Sequence, residues 1–142
     1  MRKVILENKN ANKEEQKEMN ISIITLMLAM IHIESGGRPE AVGDEGKALG
    51  CLQMHAGYVA DAAEFAGEEW KHHDAFDPQK SIDIFAAYMD RYATEERIGR
   101  AVTAEDIARI HNGGPDGWNK DSTLLYWHKV KGRIIELQGG AE

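Results

Sequence analysis

An almost continuous apolar run over residues 21–33 constrains the fold of this chain more than any other feature. The run is too short to span a bilayer, which takes roughly 20 apolar residues. It therefore predicts a largely buried helix within a folded domain. Residues 35–39 read Ser-Gly-Gly-Arg-Pro. Because Gly favours the left-handed conformation that ends helices, and Pro cannot continue one, the helix is predicted to end here.

Glu34 places a single carboxylate at the end of this apolar helix. It continues the side traced by Ile23, Met27 and Met30, at the i, i+4, i+7, i+11 spacing of one helix face. Partial desolvation and the negative end of the helix dipole both disfavour a carboxylate anion at this point. Glu34 is therefore predicted to hold a proton near neutral pH, as a general acid must. The alternative interpretation is a solvated Glu in the last turn of a surface helix.

The composition narrows the class of partner. The chain has 142 residues, 42% hydrophobic and 29% charged, which is ordinary for one globular domain with its own core. Its net charge of -7 argues against a nucleic-acid partner, which would need a basic stripe. The same charge opposes adsorption to an anionic wall or membrane. We expect no nucleic-acid partner and no membrane insertion, so an anionic polymer would have to be recognised by a shaped groove.

Neither the cysteine content nor the N-terminal sequence indicates the cellular compartment of the protein. Cys51 is the only cysteine, so no intramolecular disulfide can form and the redox compartment cannot be read. The apolar run lacks the layout of a secretory signal, because a long charged stretch precedes it and no small-residue cleavage site follows. We therefore expect no export signal in the chain as written, and the localisation stays unknown.

The chain organisation predicts a compact, mainly α helical domain with at most a short β-hairpin or turn near residues 40–52. We expect a flexible N-terminal arm over residues 1–13, one domain over residues 14–138 and a tail over residues 139–142. No internal repeat or alternating strand pattern is present. The predicted helices are 14–34, 56–66, one from Pro78 onward, 103–110 and 122–137.

Helix boundaries carry the clearest local signals. Gly67 is predicted to end the second helix, and Asp77 with Pro78 to begin the third. Thr103 and Asp106 form an approximate capping box. The expected buried stripes are Ile82, Phe85, Met89 and Tyr92 on the third helix, and Trp127, Val130, Ile134 and Leu137 on the last.

Four short motifs, read in order, resemble a known family. They are Glu34-Ser35, residues 50–53 (Gly-Cys-Leu-Gln), residues 111–114 (His-Asn-Gly-Gly) and residues 126–130 (Tyr-Trp-His-Lys-Val). Over about residues 20–133 the chain resembles lysozyme-like lytic transglycosylases of the soluble-lytic-transglycosylase type, relatives of goose-type lysozymes. Within this family, the chain looks most similar to a phage-associated and bacterial branch. That similarity rests on two patterns, Gly-Asp-x-Gly-x-Ala-x-Gly-x-x-Gln and Asn-Gly-Gly-Pro-x-Gly-Trp.

This resemblance implies cleavage of peptidoglycan between N-acetylmuramic acid and N-acetylglucosamine. Glu34 would act first as acid and then as base, giving 1,6-anhydro ends, and the substrate acetamido group would stabilise the cation. The first alternative is hydrolysis, in which Asp44 or Glu45 positions a water, as in goose-type relatives. The second alternative is a non-catalytic glycan-binding module.

The resemblance also implies a set of binding residues. Relatives often have Ser where this chain has Gly43, and His55 and His111 replace apolar groove residues. Each of three predicted binding residues has an open structural alternative. Gln53 could bond only to nearby backbone, Asn112 could cap a helix, and Tyr126 could lie in the core. The expected partner is peptidoglycan glycan strands, with a monomeric protein, no cofactor, and action on the wall in the periplasm or after virion delivery. The predicted substrate-binding residues are Ser35, Gln53, His55, His111, Asn112, Gly113 and Tyr126.

Two other chemistries are disfavoured. Residues 72–74 (His-His-Asp) and Asp77 lie together, but no His-Glu-x-x-His is present, and adjacent histidines on a loop point in different directions. We predict no metal site. Cys51 has His55 nearby but no third orienting group, so a small buried residue is the better interpretation.

Overall fold

The computed structural model describes residues 21–139. The predicted N-terminal arm, the first part of the predicted helix (14–20) and residues 140–142 of the predicted tail lie outside the described residues. The mainly α prediction is confirmed, with one short antiparallel hairpin. The elements are α1 Ile23–Ser35, β1 Val42–Gly43, β2 Ala48–Leu49, α2 Ala56–Ala66, α3 Pro78–Tyr92, α4 Glu95–Ile98, α5 Ala104–Gly113 and α6 Leu124–Gly139.

The chain forms two compact units. Among the described residues, one comprises residues 31–92, and the other comprises residues 21–30 together with residues 93–139. The hairpin, α2 and α3 belong to the first unit, and α4 to α6 belong to the second. Of the helices within residues 21–139, none is long and apolar enough to cross a bilayer.

In the unit formed by residues 31–92, local signals set most boundaries. Gly67 adopts φ +69° and ends α2 as predicted. Asp77 Oδ1 accepts a hydrogen bond from the Lys80 backbone N–H at 3.0 Å, so the start of α3 is also confirmed. The hairpin pairs Val42 with Leu49 and Gly43 with Ala48. The fully buried side chains of this unit include Leu52, Met54, Val59, Ile84 and Phe85.

The predicted stripe of α3 is correct only in part. Phe85 and Met89 are buried, but Ile84 and Tyr88 are more buried than the predicted Ile82 and Tyr92. The reason is that α3 packs against both α2 and the 3-10 turn over residues 72–76. A helix covered on two sides buries a wider arc than one stripe.

In the second unit, the capping box of α5 is confirmed. Thr103 Oγ1 accepts from the Asp106 backbone N–H at 3.1 Å, and Asp106 Oδ2 accepts from the Thr103 N–H at 2.8 Å. Asp106 is buried, and Arg100 binds both its oxygens at 2.6 and 2.9 Å. These bonds hold the pKa of the Arg100 guanidinium above its usual value, chiefly through the hydrogen bond to Asp106. The helix extends to Gly113, three residues past the predicted Ile110.

The last helix begins two residues later than predicted, after a 3-10 turn at Asp121–Thr123. Val130 and Ile134 are buried as expected. Trp127 is only half-buried and Leu137 is 41% exposed, so the predicted stripe is wrong at both positions. Tyr126 is buried in place of Trp127, because it lies four residues before Val130 and so continues the face formed by Val130 and Ile134.

Candidate active site

Glu34 is the penultimate residue of α1 and is half-buried. The next residue, Ser35, ties the helix end to a later turn. Its Oγ donates to the Cys51 carbonyl at 2.9 Å and accepts from the Gly37 N–H at 3.1 Å. Arg38 Nε donates to the Ser35 carbonyl at 3.0 Å. These hydrogen bonds hold in place the backbone next to Glu34. The role predicted for Ser35 in substrate binding stays a prediction.

Asp44 and Glu45 form the exposed tip of the hairpin. Both have positive φ, +50° and +56°, followed by Gly46 at +90°. Left-handed backbone is costly for residues with a Cβ and is retained where the surrounding structure fixes it. Here the Lys47 N–H donates to the Asp44 carbonyl at 3.1 Å. The turn thus projects two adjacent carboxylates from a defined backbone.

His55 lies beside this tip. Its Nε2 is 3.0 Å from Asp44 Oδ2, and the two side chains are 52% and 60% exposed. Sequence reasoning missed this pair, because it depends on the hairpin register and the turn that follows β2. His55 was predicted as a substrate-binding residue, and that role stays a prediction.

Gln53 is oriented towards the backbone of the hairpin region. Its Nε2 donates to the carbonyls of Ala41 at 3.2 Å and Gly50 at 3.1 Å. A Cβ at Gly43 would lie 2.2 Å from Gln53 Oε1, so this amide occupies the space that a side chain at position 43 would need. Gln53 therefore makes the local backbone hydrogen bonds of the alternative interpretation, and its contact with a sugar stays a prediction.

Replacing Gln53 with Glu is expected to lower the free energy of unfolding by about 1–3 kcal/mol at pH 7. The substitution removes both N–H donors and directs carboxylate oxygens at two carbonyl oxygens. Urea denaturation measures the change. The matched control is Gln79→Glu on α3, whose exposed Nε2 donates to Asp83 Oδ1 at 3.0 Å. We expect it to change stability by less than about 0.5 kcal/mol, because water screens the repulsion between two exposed carboxylates. Equal effects of the two substitutions would show that the Gln53 amide does not hold this region.

The remaining predicted residues lie in the second unit. His111, Asn112 and Gly113 form the end of α5, where His111 is buried and Asn112 is exposed. A Cβ at Gly113 would lie 2.4 Å from Thr123 Cγ2, so Gly113 allows close packing. Tyr126 is buried on α6, which packs against α5. The binding roles of all four stay predictions.

Arg109 organises the segment after α5, and sequence reasoning did not identify it. This buried guanidinium donates to Thr123 Oγ1 at 2.8 Å, Glu105 Oε2 at 2.6 Å and the Lys120 carbonyl at 2.9 Å. Three partners satisfy the desolvated charge. The network orders the loop that follows residues 111–114.

The structure shows the surroundings of Cys51 and of residues 72–77. Cys51 is buried, and its Sγ lies 3.8 Å from Ser81 Oγ, whereas His55 is paired with Asp44. Among residues 21–139, no group of three or more His, Cys, Asp or Glu side chains is arranged to hold a metal. His72 Nε2 bonds the Met54 carbonyl at 2.8 Å. A hydrogen bond from the Lys71 backbone N–H holds the pKa of Asp74 below its usual value, and Lys80 adds to that effect.

Comparison with known families identifies this architecture. The family model described as Destabilase matches residues 26–132, most of the chain. The chain belongs to the destabilase family. This destabilase-family chain is 36% identical to an invertebrate-type lysozyme of Ruditapes philippinarum over 108 residues, covering 74% of this chain and 76% of that relative.

Two solved structures are similar to this destabilase-family protein. The crystal structure of Tapes japonica lysozyme has a TM-score of 0.62 at 34% identity, covering 75% of this chain and 85% of that one. The crystal structure of Aeromonas hydrophila PliI in complex with Meretrix lusoria lysozyme has a TM-score of 0.63 at 31% identity, with the same coverage.

These matches correct the family drawn from the short motifs. The predicted membership in a phage-associated branch of the soluble lytic transglycosylases is wrong, because the matched family and structures are destabilase and invertebrate lysozyme. The four motifs occupy the end of α1, the turn after β2, the end of α5 and part of α6, each only a few residues long. Such local segments do not distinguish among lysozyme-like families, whereas a match over residues 26–132 does.

Proposed function

We propose that this protein is a peptidoglycan hydrolase, a lysozyme that cleaves the β-1,4 bond between N-acetylmuramic acid and N-acetylglucosamine. The observation that carries this proposal is the destabilase match over residues 26–132, which includes Glu34 and the hairpin carboxylates. The relatives matched are named lysozymes. This supports hydrolysis, the alternative raised above, over the lytic transglycosylase activity first expected.

Glu34 is assigned as the general acid. Its carboxyl proton passes to the bridging oxygen as the bond from that oxygen to the sugar C1 breaks, which avoids an alkoxide leaving group. The half-buried helix end holds Glu34 partly away from solvent. The hydrogen bonds of Ser35 keep this position constant relative to the turn at Cys51.

Asp44 is assigned as the second carboxylate, which positions the attacking water. The water oxygen bonds to C1 and a water proton passes to Asp44, so the products together gain one water. Asp44 is preferred to Glu45 because its carboxylate is fixed by His55. Loss of the Asp44 proton to solvent and recovery of a proton by Glu34 then complete the cycle.

The protein is expected to recognise glycan strands by shape and hydrogen bonding. With a net charge of -7, long-range attraction to an anionic polymer is not available to it. We propose cell-wall peptidoglycan as its place of action.

Digestion of purified peptidoglycan followed by mass spectrometry tests this function. We expect fragments with ordinary reducing ends. Fragments lighter by one water would carry 1,6-anhydro ends and would contradict hydrolysis. If the protein binds glycan strands but releases no fragments, the glycan-binding module is correct instead.

Replacing Asp44 with Asn is expected to lower kcat about 100-fold, because the amide cannot accept the water proton. Glu45→Gln is the matched control on the adjacent residue, and its kcat is expected to stay within about threefold of wild type. The reverse outcome would assign the water to Glu45.

A further inference from the structure

The contact between His55 and Asp44 is not explained by local helix formation. His55 is the N-cap residue of α2, with extended backbone (φ -81°, ψ 160°). Its side chain makes no capping hydrogen bond to the helix. His is also not among the residues favoured at this position. The imidazole instead reaches Asp44, eleven positions earlier in the chain, at 3.0 Å.

Nor does overall stability explain the pair. Both side chains are more than half exposed, at 52% and 60%. Exposed ion pairs and hydrogen bonds of this kind add little to the stability of a fold, because water screens the charges and solvates both groups well. What the contact does restrict is the orientation of one carboxylate at the hairpin tip.

We propose that His55 is a positioning residue for hydrolysis, whose Nε2–H donates to Asp44 Oδ2 and so directs Oδ1 towards the attacking water. This inference rests on the function proposed above. The backbone conformation of Asp44, with its positive φ, sets the direction in which the side chain leaves the turn, and His55 holds the carboxylate at the end of that side chain. A carboxylate held at both ends loses fewer orientations when the water binds, which favours turnover rather than substrate affinity.

Two substitutions of His55 test this role, measured by kcat, KM and Tm on the full chain with purified peptidoglycan. His55→Ala is expected to lower kcat about tenfold with KM within about twofold. Its Tm is expected to stay within about 2 °C of wild type. His55→Gln, which can place an N–H donor near the position of Nε2, is expected to restore most of the rate.

The matched control is His73→Ala. His73 is another exposed histidine of the same unit, 75% exposed, with Nε2 3.7 Å from Asp74 Oδ1. We expect its kcat to equal that of wild type. Combined with Asp44→Asn, His55→Ala is expected to cause no further loss, because a positioning residue has no effect once its partner is removed.

The outcomes separate this inference from the proposed function. Wild-type kcat in His55→Ala, with wild-type hydrolysis intact, would overturn the positioning role alone. A rise in KM without a fall in kcat would also overturn it, because His55 would then contact substrate directly. Absence of hydrolysis by the wild-type protein would overturn the proposed function, and the positioning role with it.

Discussion

Glu34→Gln is expected to reduce kcat for peptidoglycan cleavage by about 1000-fold. The amide has nearly the shape of the carboxyl group but has no acidic proton to transfer to the bridging oxygen. Gln keeps the size and the hydrogen-bond acceptor oxygen of Glu at this penultimate position of α1. The substitution should therefore leave the fold and the glycan affinity close to wild type.

Initial rates on purified peptidoglycan, with a parallel measurement of glycan-strand binding, check this prediction. Glu40→Gln is the control, since Glu40 is an exposed carboxylate in the loop that follows the same helix. It should retain wild-type activity. Full activity in Glu34→Gln would remove Glu34 from the mechanism, and loss of binding together with activity would indicate a role in affinity.

Gly50→Ala is expected to lower the free energy of unfolding by at least about 3 kcal/mol and Tm by more than about 10 °C. Gly50 has φ +83°, and a Cβ there would lie 1.9 Å from the Ala75 carbonyl oxygen. That atom belongs to the backbone of a packed 3-10 turn, so it cannot move away as a side chain would. The cost of the left-handed backbone and the cost of the overlap with the Ala75 carbonyl oxygen therefore add together.

Gly99→Ala separates these two effects. Gly99 has nearly the same backbone angle, φ +87°, but a Cβ added there would meet no neighbouring atom within 4 Å. We expect this substitution to cost only about 1–2 kcal/mol, the strain of a left-handed residue with a Cβ. Thermal and urea unfolding of both variants measure the difference. Equal losses would show that the contact with Ala75 relaxes without cost.

Local features of the fold could be predicted because a few adjacent residues determine them. The end of α2 at Gly67, the start of α3 at Pro78 and the Thr103 capping box each depend on backbone conformation and hydrogen bonds within one turn. Predicted burial was less accurate. The buried faces of α3 and α6 depend on which neighbouring segments cover them, and periodicity alone does not contain that information.

The candidate site likewise contains one feature that could be predicted from local sequence and one contact that could not. A carboxylate at the end of an apolar helix is visible from spacing, so the place of Glu34 near the end of α1 could be predicted, while its catalytic role stays a prediction. The Asp44–His55 pair could not, although both residues were named for other reasons. Their contact requires the pairing of β1 with β2 and the turn that returns the chain to the hairpin tip.

By itself, the sequence determined the mainly α class, the end of α2, the starts of α3 and α5, and the position of Glu34 on α1, because these follow from periodicity and capping within short segments. Tertiary structure alone decided that Gln53 occupies the space beside Gly43, that Gly50 lies against Ala75, and that His55 holds Asp44. Each of these contacts joins residues that are well separated along the chain. Their geometry is set by packing and strand register rather than by local conformational preference.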